Sequence, residues 1–558
     1  MTLNRTLSGL AAGVLLLLSY RANLPQWASS DTVPAKYLPL SLLSGLDLDL
    51  SEFAHLYRPG LTNMQWIDGK LRSNYPIGTS VLAMPIYLAG MILTGDHSSD
   101  GTADALSRLA ADLLTLAAGI MLQQLSYRPL GGPLSVLFAL AIGLGTPCWS
   151  ICSDDLWQHT GCVLSSSAAL LLLGWDSPRT LGRSAAAGLA LGYAVTCRPT
   201  SALFLLLGGA WLLVRAPAEA AALCLGATAG AAPGVLNNLL CFGDLRGGYH
   251  VISQQVGWDW PSAAVLLKLL CYPSRGLLLY APVTALAVPG IINALRQRGS
   301  PLLQFALICT AAHFTLISSW RIWDGGVNFG PRLLTDTIPF IAVLMIPAFE
   351  VIKRQRRALW FIGPLIALSV AIQGLGAFMY DGTYIYRDGG RWDSSELRYV
   401  ITRGQNEIIW PSSPDCVRVG SQLDLRSPDS APHRVLGFAP TGMEPISVLA
   451  MSPVEPLSGH GQLDVLIHDR DGDSSVTLLV TVDGQLMQTT GPLPQGKPIA
   501  ISFPLPGQLL PDTVHTIRFK FKIARSPAFN FVHECNTVRC PVAVPYRLTF
   551  SRDWPLAD

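Results

Sequence analysis

Apolar residues fill the first 380 positions in long blocks, and a membrane-crossing helix needs about 20 of them in near succession. Such blocks fall at roughly 5–20, 103–125, 132–150, 157–174, 182–197, 199–214, 217–241, 275–294, 302–319, 333–352 and 357–379, which predicts eleven spanning helices. A further run, Tyr75 to Thr94, is interrupted by Pro76 and Pro85 and has polar flanks, so it either spans or lies at the interface. Past Tyr380 the pattern changes. Segments such as GQLDVLIHD, SSVTLLVTVDG, KPIAISFPL and HTIRFKFKI alternate apolar and polar residues at period two between Gly, Pro and Asp punctuation. The pattern therefore predicts an α-helical polytopic membrane protein over residues 1–380 and an all-β domain of sandwich type over 381–558.

Basic residues orient this arrangement, because short cytoplasmic loops retain Lys and Arg. With eleven spans and a cytoplasmic N-terminus, the inner loops receive Arg128, Arg179, Arg183, Arg215, Arg296, Arg298 and the KRQRR run from Lys353 to Arg357. Asp154 and Asp155 fall in an outer loop. If Tyr75–Thr94 also spanned, the KRQRR run would lie outside, which the rule rejects; a twelve-span chain with an outer N-terminus passes and differs only in the side occupied by 21–75. The first apolar run also fits a signal peptide cleaved near Ala28 and Ser30. Either way, the β domain is expected outside the cytoplasm, where Cys535 and Cys540 form a disulfide or remain two free thiols.

Composition narrows the class further. A chain that is 50% hydrophobic and 14% charged is not a soluble globule, and 40 prolines with 51 glycines exclude a coiled coil. The formal net charge of +2 provides no field for nucleic acid, so no nucleic-acid partner is expected. Eight of the eleven cysteines lie scattered through apolar stretches without metal-type spacing.

The candidate chemistry sits at the outer ends of the helices. Asp31 and Lys36, in SSDTVPAKYLPLSLL, follow the first helix at interface depth. Asp31 either accepts a proton from an attacking hydroxyl, a contribution of about 10²–10⁴ in rate, or caps the short helix that KYLPLSLL forms. In SDDLWQHTG, the side chains of Asp154, Asp155 and His159 are able to orient a sugar, bind a divalent cation or simply solvate a loop. Arg198, in CRPT, needs an anionic partner at its depth, either a protein carboxylate or a phosphate. Arg332 opens a helix after the glycine-rich turn in WRIWDGGVNFGPRLLTDTIPF, and its flanking tryptophans suit an interface belt. Arg275, in CYPSRGLLLYAP, reads as a snorkelling arginine.

Asp31 after the first helix, NYPIGTSVLAMP, CRPT, PSRGLLLYAP and GGVNFGPRLLTDTIPF together resemble bacterial GT-C superfamily membrane glycosyltransferases, relatives of the protein mannosyltransferases and the lipid A aminoarabinose transferases. The resemblance spans roughly residues 1–380 and leaves out the β domain. It implies inverting transfer of a sugar from a polyprenyl-phosphate-linked donor to a glycan, lipid or protein acceptor, on the outer face of a membrane, expected to be the bacterial inner membrane. Asp31 matches the catalytic position, and residues 21–102 become an outer juxtamembrane loop in which Tyr75–Thr94 lies at the interface, giving eleven spans. Many relatives carry paired acidic residues there, whereas Asp31 is followed by Thr32, which leaves the second carboxylate to Asp154 or Asp155. Arg198, Arg332 and Lys36 are the candidate phosphate ligands.

Two other classes remain open: a transporter or flippase of a lipid-linked or anionic substrate, and a non-catalytic anchor for a glycan-binding β domain. A transporter places its polar residues near the midplane, whereas here they gather at outer loop ends, and an anchor predicts that Asp31 is dispensable.

Overall fold

The computed structural model describes residues 2–23, 29–57, 63–96, 98–175, 179–273, 275–297, 300–326 and 328–380, together with strands between Val417 and Ser551. Cys535, Cys540 and the disulfide expected between them lie outside the described residues. The described residues fall into two compact units, one helical and one of strands.

In the helical unit, α1 is Thr2–Arg21, α2 Val33–Ser44, α3 Gly78–Thr94, α4 Asp100–Leu130, α5 Gly132–Gly145, α6 Gln158–Leu173, α7 Leu181–Cys197 and α8 Ala202–Arg215. The series continues with α9 Pro217–Phe242, α10 Tyr249–Val256, α11 Ala263–Cys271, α12 Leu277–Tyr280, α13 Val288–Leu295, α14 Pro301–Ser318, α15 Ile338–Arg354 and α16 Leu359–Met379. Six helices among the described residues are long and apolar enough to cross a membrane: Leu3–Arg21, Asp100–Leu130, Pro217–Phe242, Pro301–Ser318, Arg332–Arg354 and Arg356–Phe378. Four others, Gly78–Thr94, Gly132–Gly145, Pro199–Arg215 and Pro282–Leu295, are apolar but shorter. Length accounts for most of the difference from eleven uniform spans, since α5, α6, α7 and α8 have 14, 16, 17 and 14 residues, and proline accounts for the rest. The block at 275–294 divides into α12, a 3-10 turn over Pro282–Ala287, and α13, since Pro282 has no N–H to continue a helix. Pro199 likewise separates α7 from α8.

Helix α15 is enclosed on nearly all sides, whereas α1, α9 and α16 turn most of their surface outward, as lipid-facing helices do. Small residues bring α7 and α9 together. A Cβ at Gly188 would lie 1.9 Å from the Leu223 carbonyl, one at Gly192 2.2 Å from that of Ala227, and one at Gly230 2.1 Å from that of Leu189. Backbone approach of this kind, at four-residue spacing, drives helix association in lipid without a hydrophobic force. It fixes the C-terminal end of α7, and with it Arg198.

Between α1 and α4 lie α2, α3 and a small hairpin, β1 (Met64–Ile67) against β2 (Lys70–Ser73). Asp68 and Gly69 turn the hairpin with φ of 48° and 75°, the mirror-image turn that matches strand twist. In the second unit, β3 (Val417–Val419), β5 (Ile446–Pro453), β7 (Ser475–Val482), β8 (Gln485–Thr489) and β10 (His515–Ala524) form a sheet of order β3-β5-β10-β7-β8. The strands β4 (Gln422–Asp424), β6 (His460–His468), β9 (Pro498–Pro504) and β11 (Val542–Ser551) form a second, of order β4-β11-β6-β9. Leu478, Val480 and Val482 are buried in alternation along β7, which is the period-two pattern of its sequence expressed as one covered face.

Candidate active site

A 3-10 turn over Ser30–Thr32 leads into α2. The helix receives no side-chain cap, so the capping reading of Asp31 does not hold. Its carboxylate faces two other partners: Arg332 Nη1 donates to Oδ2 at 2.6 Å, and the Tyr75 hydroxyl donates to Oδ1 at 2.7 Å. Burial and the neighbouring Asp31 charge push the Tyr75 phenol well above its ordinary value, which keeps it a neutral donor. Asp31 retains 24% exposure and Arg332 12%, so this ion pair stands at an opening rather than in the core.

Arg332 is aimed by its backbone and by an aromatic ring. Gly325, Gly326 and Gly330 adopt φ of 78°, 70° and 65° in the turn before it, a region open to glycine, and a Cβ on Gly330 would meet the Tyr280 ring at 2.6 Å. Arg332 Nη2 donates to the Gly325 carbonyl at 2.5 Å, and its guanidinium lies 4.6 Å from the centre of the Trp157 ring, a cation–π geometry. Arg275 supports the same turn, donating to the Asp324 and Gly326 carbonyls at 2.7 and 2.8 Å. It is buried and does not snorkel, because two loop carbonyls satisfy it.

The SDDLWQHTG cluster separates in space. Asp155 is buried, accepts from Thr32 Oγ1 at 2.8 Å and lies 3.3 Å from Lys36 Nζ, which also bonds Asp104 at 2.7 Å. Burial disfavours the Lys36 ammonium, but Asp155 and Asp104 outweigh it and raise its pKa. Asp154, half-buried beside Asp155, is pushed up to about 7 by burial first and then by that neighbouring charge. His159, in the first turn of α6, points elsewhere: its Nδ1 lies 2.8 Å from Asp336 Oδ1.

Arg198 joins that second cluster. Its Nε is 2.7 Å from Asp336 Oδ2, and its Nη1 is 3.2 Å from His159 Nε2. Since guanidinium only donates, Nε2 accepts and the ring proton sits on Nδ1, facing Asp336. Arg198, His159 and Asp336 are all buried, so the anion that Arg198 requires is a protein carboxylate. Asp336 and Tyr75 are the residues that the candidate set lacked. Both stand in quoted motifs, and a carboxylate four residues into an apolar helix is itself a signal of a buried partner. Among the described residues, no group of three or more His, Cys, Asp or Glu side chains gathers as a metal site.

Beside Tyr75 opens a cavity of about 170 Å³ whose walls include Asn74, Thr196, Asn237, Asn238 and Tyr249. Structures similar to the chain in fold include ArnT from Cupriavidus metallidurans, 15% identical with a TM-score of 0.44 over 75% of this chain and 82% of that one. The Archaeoglobus fulgidus oligosaccharyltransferase aligns at 13% identity and TM-score 0.38, over 65% of this chain and 53% of that one. A second structure of it, tethered with an acceptor peptide, gives 12% and 0.37, over 66% and 55%. This chain thus spans about half the length of the oligosaccharyltransferase. No family model and no curated protein sequence matches the chain. Likeness at this level concerns the course of the backbone, and what the chain does is read from its side chains.

Proposed function

We propose that the protein is an integral membrane glycosyltransferase that moves a sugar from a lipid-phosphate carrier to a hydroxyl-bearing acceptor. The observation that carries the reading is the partly open pair of Asp31 and Arg332 at 2.6 Å, with Tyr75 on the other carboxylate oxygen. The acceptor oxygen attacks the anomeric carbon and its proton passes to Asp31. The bond from that carbon to the phosphate oxygen breaks, and its electron pair stays on the phosphate beside Arg332. Attack from the side opposite the leaving phosphate inverts the centre. An acid-base group and a preorganised cation at the point where charge develops are what this transfer requires.

Binding of the phosphate competes with Asp31 for Arg332. The carboxylate then loses its strongest neutralising partner and becomes the better base as the donor arrives. Lys36 is the further cation of the Asp31 segment, while Arg198 serves by fixing Asp336. The cavity beside Tyr75, walled by amides and an aromatic ring, suits a sugar. In this reading the Asp31 end of the helices faces outward from the cytoplasm, as do residues 381–558.

Transfer of radiolabelled sugar from polyprenyl-phosphate donors in reconstituted membranes tests the proposal. Product is expected from the wild type and about 10²–10⁴-fold more slowly from Asp31→Asn; movement of donor across the bilayer without transfer would establish the carrier reading instead.

A further inference from the structure

Toward the N-terminal end of α1, the end away from Asp31, a groove of about 610 Å³ runs along the seam where α1 packs on α4. Its walls are apolar, with Leu10, Val14, Leu17, Leu116 and Ile120, and α1 contributes Gly9 and Gly13 where side chains would otherwise stand. Leu10 and Val14 remain 59% and 55% exposed. The groove runs from Arg5 to Leu17, about 18 Å at 1.5 Å per residue, which is close to the depth of one leaflet of a hydrocarbon core about 30 Å thick.

One end is charged. Arg5 Nε donates to Gln124 Oε1 at 2.5 Å and Nη2 faces the Gln124 carbonyl at 3.4 Å, so the guanidinium is held at the mouth. No carboxylate pairs with it among the described residues. Its surroundings add positive charge: Arg128 closes α4, and Lys353, near the end of α15, bonds the Pro129 carbonyl at 2.8 Å, with Arg354 next to it. An apolar slot one leaflet long with a fixed, unneutralised cation at its rim matches an acyl chain below an anionic headgroup.

We propose that this groove binds an anionic glycerophospholipid, with one acyl chain lying over Gly9 and Gly13 and the phosphate at Arg5. The site is remote from Asp31 and independent of the transferase reading. A polyprenyl phosphate shares the headgroup charge, but its chain outruns a slot of this length.

Native mass spectrometry of the full-length protein, titrated with dioleoyl phosphatidylglycerol, dioleoyl phosphatidylcholine or undecaprenyl phosphate, tests the assignment. The wild type should bind phosphatidylglycerol about five-fold or more tighter than phosphatidylcholine, the equivalent of one basic contact near a membrane surface. Arg5→Gln should abolish that preference while chain binding persists, and Gly13→Leu should weaken both phospholipids by filling the slot. Equal binding of the two headgroups by the wild type, an undiminished preference in Arg5→Gln, or stronger retention of undecaprenyl phosphate at this groove would each overturn the proposal. If Gly13→Leu fails to fold, the headgroup comparison and Arg5→Gln still decide it.

Discussion

Replacing Asp336 by Asn tests the buried cluster behind Arg332. The carboxylate lies 2.7 Å from Arg198 Nε and 2.8 Å from His159 Nδ1, with all three side chains buried. Asn retains an oxygen able to accept from His159, so the substitution removes mainly charge and leaves the Arg198 guanidinium buried without a counterion. Breaking a buried pair from one side costs about 3–5 kcal/mol, whereas replacing both partners with apolar groups of similar volume is near neutral. Asp336→Asn should therefore lose about 3–5 kcal/mol, while Arg198→Met with Asp336→Leu should recover most of it. In the cycle of Arg198→Met, Asp336→Leu and the double variant, each single change should cost about 3–5 kcal/mol and the double far less than their sum, a strong non-additivity. Unfolding in mixed detergent micelles, followed by tryptophan fluorescence, measures all four corners. Because Asp336 sits four residues after Arg332 on one turn, the stabilised double variant should still lose transfer activity if that turn aims Arg332 at Asp31. A loss below about 1 kcal/mol in Asp336→Asn together with additive single effects would refute the electrostatic account.

Asp31→Asn should lower turnover by about 10²–10⁴ and leave donor binding nearly unchanged, as loss of a group acting in the transition state requires; single-turnover transfer and donor titration separate the two. Arg332→Ala should weaken donor binding as well, and Arg332→Lys should restore only part of it, since an ammonium cannot bond Asp31 and the Gly325 carbonyl as a planar fork does; equal affinity for Lys and Arg at 332 would refute bidentate recognition. Asp154, raised to about 7 in the folded protein, binds more protons folded than unfolded between about pH 4 and 7, so its contribution to stability should fall as pH rises through that window. Asp154→Asn should remove that decline and make the slope more positive than in the wild type, and identical pH profiles of the unfolding midpoint would contradict it. An engineered cysteine near Asp68 or Ser458 should react with an impermeant reagent on whole cells while one near Lys353 should not; protection of the first two until lysis would reverse the proposed topology.

The helical unit was legible wherever a long apolar block forms one continuous helix, as in Asp100–Leu130 and in Pro217–Phe242, which runs on through Pro233. It was illegible where Pro282 broke a block whose composition alone reads as one span. Asp31 and Arg332 were recoverable because a charged residue at a helix end near lipid is costly unless used. Their meeting was not, since 301 positions separate them and no local periodicity encodes the approach. Asp154, Asp155 and His159 showed the opposite failure: adjacency in sequence implied one cluster. A turn of π-helix over Cys148–Cys152 and the start of α6 at Gln158 direct them to different neighbours. Tyr75 was hidden because its importance lies in one hydroxyl on Asp31, which a hydropathy pattern does not register.

The two ion pairs around the 332–337 turn differ in burial, and that difference assigns their work. Asp336 is fully buried between Arg198 and His159, whereas Asp31 and Arg332 keep 24% and 12% of their surface. A pair shut away from water exchanges partners only at a cost of several kcal/mol, so Arg198 and Asp336 suit a fixed frame. A pair near solvent is worth little as stability, so in the proposed reaction an anionic ligand displaces Asp31 from Arg332 without unfolding what surrounds it. The 3-10 turn carries one member of each pair, Arg332 at its start and Asp336 near its end. The rigid pair thereby sets the position of Arg332, so that in the proposed reaction the cation that meets the phosphate stands on a support that does not have to move, while Asp31 reaches it from the separate turn over Ser30–Thr32.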